Sequence, residues 1–399
     1  MIERLRQTRV GMFGLAMACL ITASGTLAID VGGPAASGAG PPIPSSLSVP
    51  LSAAVTTSTG SWAVVAMGQA GVPLNTFWEL FFRAPGADSW NLVTPPDVAD
   101  NGGLSISVAP SGEITAGFES SQLLRFSPLA VSADAGAKWT PALLPSSLLA
   151  TPDALATSGD GGPAVAIVRR SGQQVVVSSG PLLKWRSLAG SRGLANGAAS
   201  HCNIDGLDAV AIGSSASPLV GTGCRGQGQV GVFSRVASHW KLVGPSLGGR
   251  LAGASTQILR LDTTAGALSA LVAARTRGHT SLVGMWRSAV GAWSPSEPLE
   301  MGSSQEVIGS SIGSNGDQIV LLSTQRSGGE LEIAKGPGQP WSSLPSPPSG
   351  TVTVAYLPDG SANAFSVSGS HLKIFNLAAG QRTWTVLQST IVPIAYGSS

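Results

Sequence analysis

One stretch of the sequence matches a pattern of nucleophilic catalysis, G-x-S-x-G, at Gly309-Ser310-Ser311-Ile312-Gly313. In enzymes that use this pattern, the serine lies on a sharp turn between a strand and a helix, which exposes its hydroxyl. No helical periodicity follows Gly313 or occurs elsewhere beyond the N-terminal segment, so we predict no nucleophile at Ser311. The phosphate-binding loop, H-E-x-x-H and C-x-x-C patterns are all absent from the sequence.

A second cluster, His201, Cys202, Asp205 and Asp208, supplies residue types that bind metals. Zinc sites need paired C-x-x-C or i, i+4 histidine spacings, which this cluster lacks. We therefore predict no metal ligand and no cofactor, and we interpret Asp205-Gly206 as a hairpin turn. Solvated or structural roles are predicted for the remaining, isolated histidines His239, His279 and His371.

The elements that would position any site are indicated by a repeated turn followed by a tryptophan. From Ser132 to Trp139 the chain has the form S-x-D-x-G-x-x-W. Its serine and aspartate side chains can bind the turn backbone, and Gly136 can take a positive φ. Weaker copies end in tryptophans 43 to 55 residues apart, at Trp90, Trp139, Trp185, Trp240, Trp293, Trp341 and Trp384. This spacing is typical of propeller blades and not of helical repeats.

Most units also contain glycine turns between short strand-like runs. Four of these turns have their glycine 24 to 27 residues before the tryptophan of their unit, at Ser111-Gly112, Asp160-Gly161, Asn315-Gly316 and Asp359-Gly360. The pattern predicts four antiparallel strands per unit and an all-β, seven-bladed β-propeller, with six or eight blades as alternatives. Residues 47–57 or the C-terminal stretch TIVPIAY could each supply the inner strand of the first blade.

The stretch Ser132–Trp139 resembles the Asp box of BNR-type propellers, which occur in sialidases and in many non-enzymatic secreted proteins. The resemblance implies that Ser132, Asp134, Gly136 and Trp139 are structural and lie at the blade periphery. Sialidases use an arginine trio, a tyrosine nucleophile with a glutamate partner and an acidic aspartate. The two tyrosines here, Tyr356 and Tyr396, lie in no motif that marks such a nucleophile, so no catalytic residue is carried over.

The N-terminus has the pattern of an export signal. Arginines at positions 4, 6 and 9 precede an apolar run, Val10–Ile21, and Thr26-Leu27-Ala28 suits cleavage. We predict a signal peptide or N-terminal membrane anchor over residues 1–28, a Pro/Gly/Ser-rich linker over 29–46 and the propeller domain over 47–399. Lipidation of Cys19 and retention as an uncleaved anchor are the alternatives to cleavage.

Cysteine usage and charge narrow the class of protein further. After cleavage, Cys202 and Cys224 remain as an even pair in an exported protein, which predicts a structural disulfide, with two separate thiols as the alternative. Charged residues make up 11% of the chain and the net charge is +2. We predict no nucleic-acid partner, because phosphate binding needs a basic surface.

Together these features predict an exported, non-catalytic β-propeller that acts as a binding scaffold at the bacterial cell envelope or outside it. The expected partner is an envelope or extracellular protein or polysaccharide, the expected state is a monomer, and the N-terminal segment could attach the protein to a membrane. A glycoside hydrolase or lyase of sialidase-like type is one alternative, and an assembly factor for an envelope complex is another. The lining of the central channel distinguishes them, because an enzyme of that type needs arginines and carboxylates that converge beside a tyrosine.

Overall fold

The computed structural model describes residues 52–392, except for 69–75, 97–103, 110, 119–127, 142–150, 160–161, 172, 181–183, 199–201, 214–215, 265–266, 289 and 324–328. The predictions for residues 1–28 and 29–46 lie outside this part of the chain. Within the described ranges, no helix has both the length and the apolar character that a membrane span needs.

The regular secondary structure of the described residues is nearly all β-strand, and the strands follow one another as antiparallel meanders of four. The first three meanders have the following strands. Meander 1 contains β1 (Ser52–Thr57), β2 (Gly60–Gly68), β3 (Thr76–Arg83) and β4 (Asn91–Leu92); meander 2 contains β5 (Leu104–Val108), β6 (Ile114–Phe118), β7 (Leu129–Ser132) and β8 (Thr140–Pro141); meander 3 contains β9 (Pro152–Thr157), β10 (Ala164–Arg170), β11 (Gln173–Ser179) and β12 (Arg186–Gly190).

A short helix, α1 (Ser191–Ala198), leads from meander 3 to the remaining strands. Meander 4 contains β13 (Asn203–Ile212), β14 (Pro218–Arg225), β15 (Gly231–Val236) and β16 (His239–Leu242); meander 5 contains β17 (Ser255–Thr264), β18 (Ala267–Thr276), β19 (His279–Arg287) and β20 (Trp293–Pro295), with β21 (Leu299–Met301) also paired to β19; meander 6 contains β22 (Glu306–Ile312), β23 (Gln318–Ser323), β24 (Glu330–Ala334) and β25 (Ser342–Leu344); meander 7 contains β26 (Thr351–Tyr356), β27 (Ala362–Ser368), β28 (His371–Leu377) and β29 (Thr385–Ile391).

Successive meanders pack face to face through apolar clusters, and the last meander packs on the first. Trp62 and Leu80 of meander 1, for example, join Ile114 of meander 2 in one cluster. At the other end of the chain, Phe365 of meander 7 lies in a cluster with Phe81 of meander 1. The meanders therefore form a closed ring, which is the β-propeller architecture predicted from the repeated tryptophans.

The ring departs from regular geometry where its two ends meet. The inner strands β1 and β22 pair in parallel, with Ala54 opposite Ser311, although they belong to meanders 1 and 6. The inner strand β26 of meander 7 packs behind both: the Thr56 hydroxyl donates to the carbonyl of Tyr356 at 2.8 Å, and the Tyr356 N–H donates to Ser311 Oγ at 3.3 Å. Residues 52–57 thus supply the inner strand of the first meander, and Thr390 and Ile391 of the TIVPIAY stretch belong to the outer strand β29.

Each meander is contiguous in sequence, so side chains rather than a shared strand hold the first and last meanders together. Buried Asn363 in β27 accepts hydrogen bonds at Oδ1 from Trp90 Nε1 at 2.8 Å and from Arg83 Nη1 at 2.9 Å. Gln388 in β29 accepts from the Trp90 N–H at 2.9 Å and donates to the Trp90 carbonyl at 3.0 Å. These contacts close the ring.

Three of the repeated tryptophans connect their meander to the preceding one. Trp139 Nε1 donates to the Val93 carbonyl at 2.8 Å, and Trp293 Nε1 donates to the Val243 carbonyl at 2.6 Å. Trp384 Nε1 donates in the same way to the Pro345 carbonyl at 3.1 Å. In each case the acceptor lies three or four residues after the preceding tryptophan of the series. The spacing seen in the sequence therefore reflects a repeated contact between neighbouring meanders.

We expect Trp139→Phe to lower the free energy of unfolding by about 1 kcal/mol more than Trp341→Phe does. Both changes remove the same part of an indole ring, but Trp139 Nε1 has an acceptor, whereas buried Trp341 Nε1 has none among the described residues. Chemical denaturation of both variants measures the difference. Equal losses for the two variants would show that the hydrogen bond does not stabilise the ring.

Two local predictions from the sequence are wrong. Asp205-Gly206 is not a hairpin turn: both residues lie inside β13, where the register to β14 shifts between Ile204 and Gly206. Such a bulge accommodates glycine without ending the strand. The sequence also gave no sign of α1, which contains two glycines and has little intrinsic helix propensity. This helix forms because Leu194, fully buried, packs in the apolar cluster between meanders 3 and 4.

Candidate functional site

The inner strands of the ring surround a cavity of about 590 Å³, which is the candidate functional site. Its wall is formed by β1, β5, β9, β13 and β17, with Ser314 of meander 6 at one edge. Meander 7 does not contribute to the wall, because β1 and β22 pair in front of its inner strand. At the hairpins between first and second strands the lining residues Ser58 and Ala216 are exposed, and we call this end of the cavity its mouth.

Most of the wall is aliphatic or carries hydroxyl groups. Alanine, valine, leucine and isoleucine alternate with serine and threonine, and no aromatic residue is among the described lining residues. On the side of meanders 2 and 3 the hydroxyls are already engaged: the Thr157 N–H donates to Ser107 Oγ at 2.8 Å. A volume between about 300 and 1,000 Å³ with few polar groups is typical of small-ligand sites.

Charged residues line the cavity on one side, on the inner strands of meanders 4 and 5. They are Asp208 on β13 and Arg260 and Asp262 on β17. Arg260 is 7% exposed; its Nη1 donates to the Ser310 carbonyl at 3.1 Å and its Nη2 contacts Asp262 Oδ2 at 3.4 Å. Burial lowers the pKa of the Arg260 guanidinium, and the charge of Asp262 opposes that shift. The site therefore combines a strong donor group with one accessible carboxylate.

Asp208 is almost fully buried, at 1% exposed. Its Oδ2 accepts a hydrogen bond from the Ile258 N–H at 3.1 Å, which links meander 4 to meander 5. Burial raises the pKa of the Asp208 carboxyl well above its usual range, and the Ile258 hydrogen bond only partly offsets this. This carboxyl consequently favours its neutral form more than an exposed aspartate does.

The tyrosine considered as a nucleophile lies elsewhere. Tyr356 is in the apolar cluster between meanders 6 and 7 and does not line the cavity. Burial raises its pKa, and the charges of Asp317 and Asp359 raise it further, so the phenol stays protonated near neutral pH. Ser311 lies on strand β22 and its hydroxyl accepts from the Tyr356 N–H, so it occupies no strand-to-helix turn. Tyr396 lies outside the described residues.

The described residues considered as metal ligands, Cys202, Asp205 and Asp208, each have another partner. Cys202 forms a disulfide with Cys224, which ties the start of β13 to β14. Asp205 forms an ion pair with Arg225 on the adjacent strand. His201 lies outside the described residues, and within the described ranges no three His, Cys, Asp or Glu side chains are placed to share a metal ion. The other histidines, at 239, 279 and 371, each begin a strand and are exposed.

The turn from Ser132 to Trp139 is held by its own side chains. The Ser132 hydroxyl donates to Asp134 Oδ1 at 2.8 Å and accepts from the Gly136 N–H at 2.8 Å. The Lys138 N–H donates to Asp134 Oδ1 at 2.8 Å, and these contacts lower the pKa of Asp134. Gly136 has φ +82°, and a Cβ there would lie 2.6 Å from Val93. The turn lies between the outer strands β7 and β8, away from the cavity.

Sequence reasoning missed Arg260 and Asp262, which are two of the three charged residues of the described cavity wall. They are two positions apart on one inner strand, so both side chains point to the same face of it. Charged residues at i and i+2 within the otherwise apolar run ILRLD were the available signal.

Comparisons with known proteins give distant structural likenesses. No family model matches the chain, and no curated protein matches it. A structure titled "YCF48 bound to D1 peptide" has 14% identity and a TM-score of 0.42, with 86% of this chain and 93% of that chain covered. A six-bladed propeller lectin from Aleuria aurantia has 13% identity and a TM-score of 0.39, covering 88% and 96%. A puromycin-hydrolyzing peptidase from Mycobacterium tuberculosis has 11% identity and a TM-score of 0.49, and the match spans 90% of this chain and 56% of that one.

Proposed function

We propose that the protein is an exported, non-catalytic, seven-bladed β-propeller that serves as a binding scaffold at the bacterial cell envelope or outside it. Its partner, an envelope or extracellular protein or polysaccharide, binds on the face where the central cavity opens. One observation carries the proposal: the described cavity wall is aliphatic and hydroxyl-bearing, and its charged residues are Asp208, Arg260 and Asp262. Counting each meander as one blade gives the seven blades.

The sialidase-like alternative needs a tyrosine that meets a carboxylate beside several arginines. In the described part of the cavity wall there is one arginine and no tyrosine. Tyr356 is buried between two meanders, where a substrate would have to displace an apolar cluster to reach it. These features favour binding over glycoside hydrolysis.

Export is supported by the sequence and by the disulfide. The arginines at positions 4, 6 and 9 and the apolar run after them have the form of a signal. The disulfide between Cys202 and Cys224 is of a kind that persists in oxidising compartments.

Rigid rings that present loops at both ends are well suited to recognition, because the strands hold the loops in place.

The two faces can be compared by photo-cross-linking in the native host. Ala216 is exposed in the hairpin between β13 and β14, at the mouth of the cavity, and Gln227 is exposed between β14 and β15, at the opposite end of the same strand. A photoreactive amino acid at position 216 of the full chain is expected to give a discrete adduct with an envelope component. The same group at position 227 is the matched control and is expected to give none. An adduct from position 227 alone, or none from either position, would contradict the proposal.

A further inference from the structure

The cavity contains a guanidinium whose hydrogen-bonding capacity is only partly used. Arginine carries five N–H groups in a planar fork that matches a carboxylate. Among the described residues, the acceptors of Arg260 are the Ser310 carbonyl at 3.1 Å and Asp262 Oδ2 at 3.4 Å. The contact with Asp262 is single and longer than the 2.7–2.9 Å or so of a strong charge-assisted pair. The remaining donors of this buried side chain are therefore available to a ligand.

The charges around Arg260 favour an anion over a cation. Asp262 is its charged neighbour, and with 24% of its side chain exposed it is better hydrated than Arg260, whose side chain is 8% exposed. Burial raises the pKa of Asp208, so the second carboxyl of the wall takes a negative charge less readily than an exposed aspartate does. A ligand carboxylate would gain the bidentate contact that Asp262 does not make, while Asp262 can remain solvated at the mouth.

The rest of the wall indicates the chemical character of the part of the ligand that lies beyond its carboxylate. Aliphatic side chains such as Val55, Ile106, Ala156 and Leu261 surround the cavity, and the described wall offers no aromatic ring on which a sugar or a base could stack. An aliphatic chain would bury apolar surface there without leaving a polar group unpaired.

We propose that the cavity binds a small aliphatic monocarboxylate, with its carboxylate held by Arg260 and its chain among the aliphatic residues of meanders 1 to 3. This inference deepens the proposed function, because it rests on the cavity being a binding site and names the class of ligand. It assigns to Arg260 the role of a specificity-determining residue.

Isothermal titration of the full chain with three probes of equal tail length tests the inference: octanoate, octanol and octyltrimethylammonium, each below its micellar concentration. Octanoate is expected to bind about tenfold more tightly than octanol or the ammonium compound, as a charged hydrogen bond of this kind would give. Arg260→Lys should weaken octanoate binding about tenfold, since lysine keeps the charge and loses the fork. Asp262→Asn should leave octanoate binding equal or tighter.

The control variant is Arg277→Lys, at an exposed position in the turn between β18 and β19, remote from the cavity; it should bind octanoate as the unmodified chain does. Thermal unfolding checks that each variant is folded, and Arg260→Met provides a second variant if the lysine variant is unstable. Equal binding of octanoate and octanol, preference for the ammonium compound, or unchanged binding by Arg260→Lys would overturn the inference. So would the absence of saturable binding by any probe, which would leave the cross-linking test of the scaffold unaffected.

Discussion

Replacing Asn363 with leucine is expected to lower the free energy of unfolding by about 3–5 kcal/mol, the largest effect that we predict for a single polar side chain. Asn363 is 0% exposed and accepts from both Trp90 Nε1 and Arg83 Nη1. Leucine has a similar volume but no acceptor, so two donors of meander 1, one of them charged, would lose their partner at the closure of the ring. Denaturant unfolding followed by tryptophan fluorescence measures the loss.

The matched control is Asn376→Leu on the adjacent strand. Asn376 is half-buried, and its Oδ1 accepts from Asn363 Nδ2 at 2.9 Å. That change removes one contact within meander 7 and none across the closure, so the expected loss is about 1 kcal/mol. If the two variants lost equal stability, the ring would not depend on the Asn363 contacts for its closure.

The second large effect concerns Asp208, for which we expect Asp208→Asn to raise the free energy of unfolding at pH 7 by more than about 1 kcal/mol. The carboxyl is 1% exposed, and burial raises its pKa well above 3.8. Asparagine has the shape of the neutral acid and keeps an oxygen to accept from the Ile258 N–H, but it never has to carry a buried charge.

The direction of the pH dependence follows from the same shift. The pKa of Asp208 is higher in the folded chain than in the unfolded chain. Its contribution to the stability of the fold is therefore fully present below the unfolded pKa, near 3.8, and is lost as the pH rises through the folded pKa. The stability gained by Asp208→Asn should therefore shrink as the pH falls from 7 toward 4. Asp205→Asn, at an exposed ion pair on the same strand, is the control and should change stability by less than about 1 kcal/mol. A gain for Asp208→Asn that is the same at pH 4 and pH 7 would show that charge burial is not its cause.

The architecture was predictable because its signals are local and repeated. Trp139 and Trp293 recur at a fixed place because each donates to a carbonyl just after the preceding tryptophan of the series. Gly316 and Gly360 mark hairpins because both have a positive φ there. Patterns of this kind are local to one unit, and their repetition in most units predicts the ring.

What the sequence could not show depends on contacts between distant parts of the chain. The parallel pairing of β1 with β22 joins residues 257 positions apart and removes meander 7 from the cavity wall. The role of Asn363 depends on side chains of the first meander, and no pattern near position 363 indicates it. Arg260 belongs to the cavity wall because the ring brings its strand beside the inner strands of the other meanders.

Hydrogen–deuterium exchange of the full chain, with and without its cross-linked envelope partner, tests most directly the claim that the partner binds where the cavity opens. We predict slower exchange confined to the hairpins at the cavity mouth, those that contain Ser58, Ala216 and Ser314. Slower exchange at the opposite ends of the strands, around Ser171, Gln227 and Gly278, with no change at the mouth, would contradict the account.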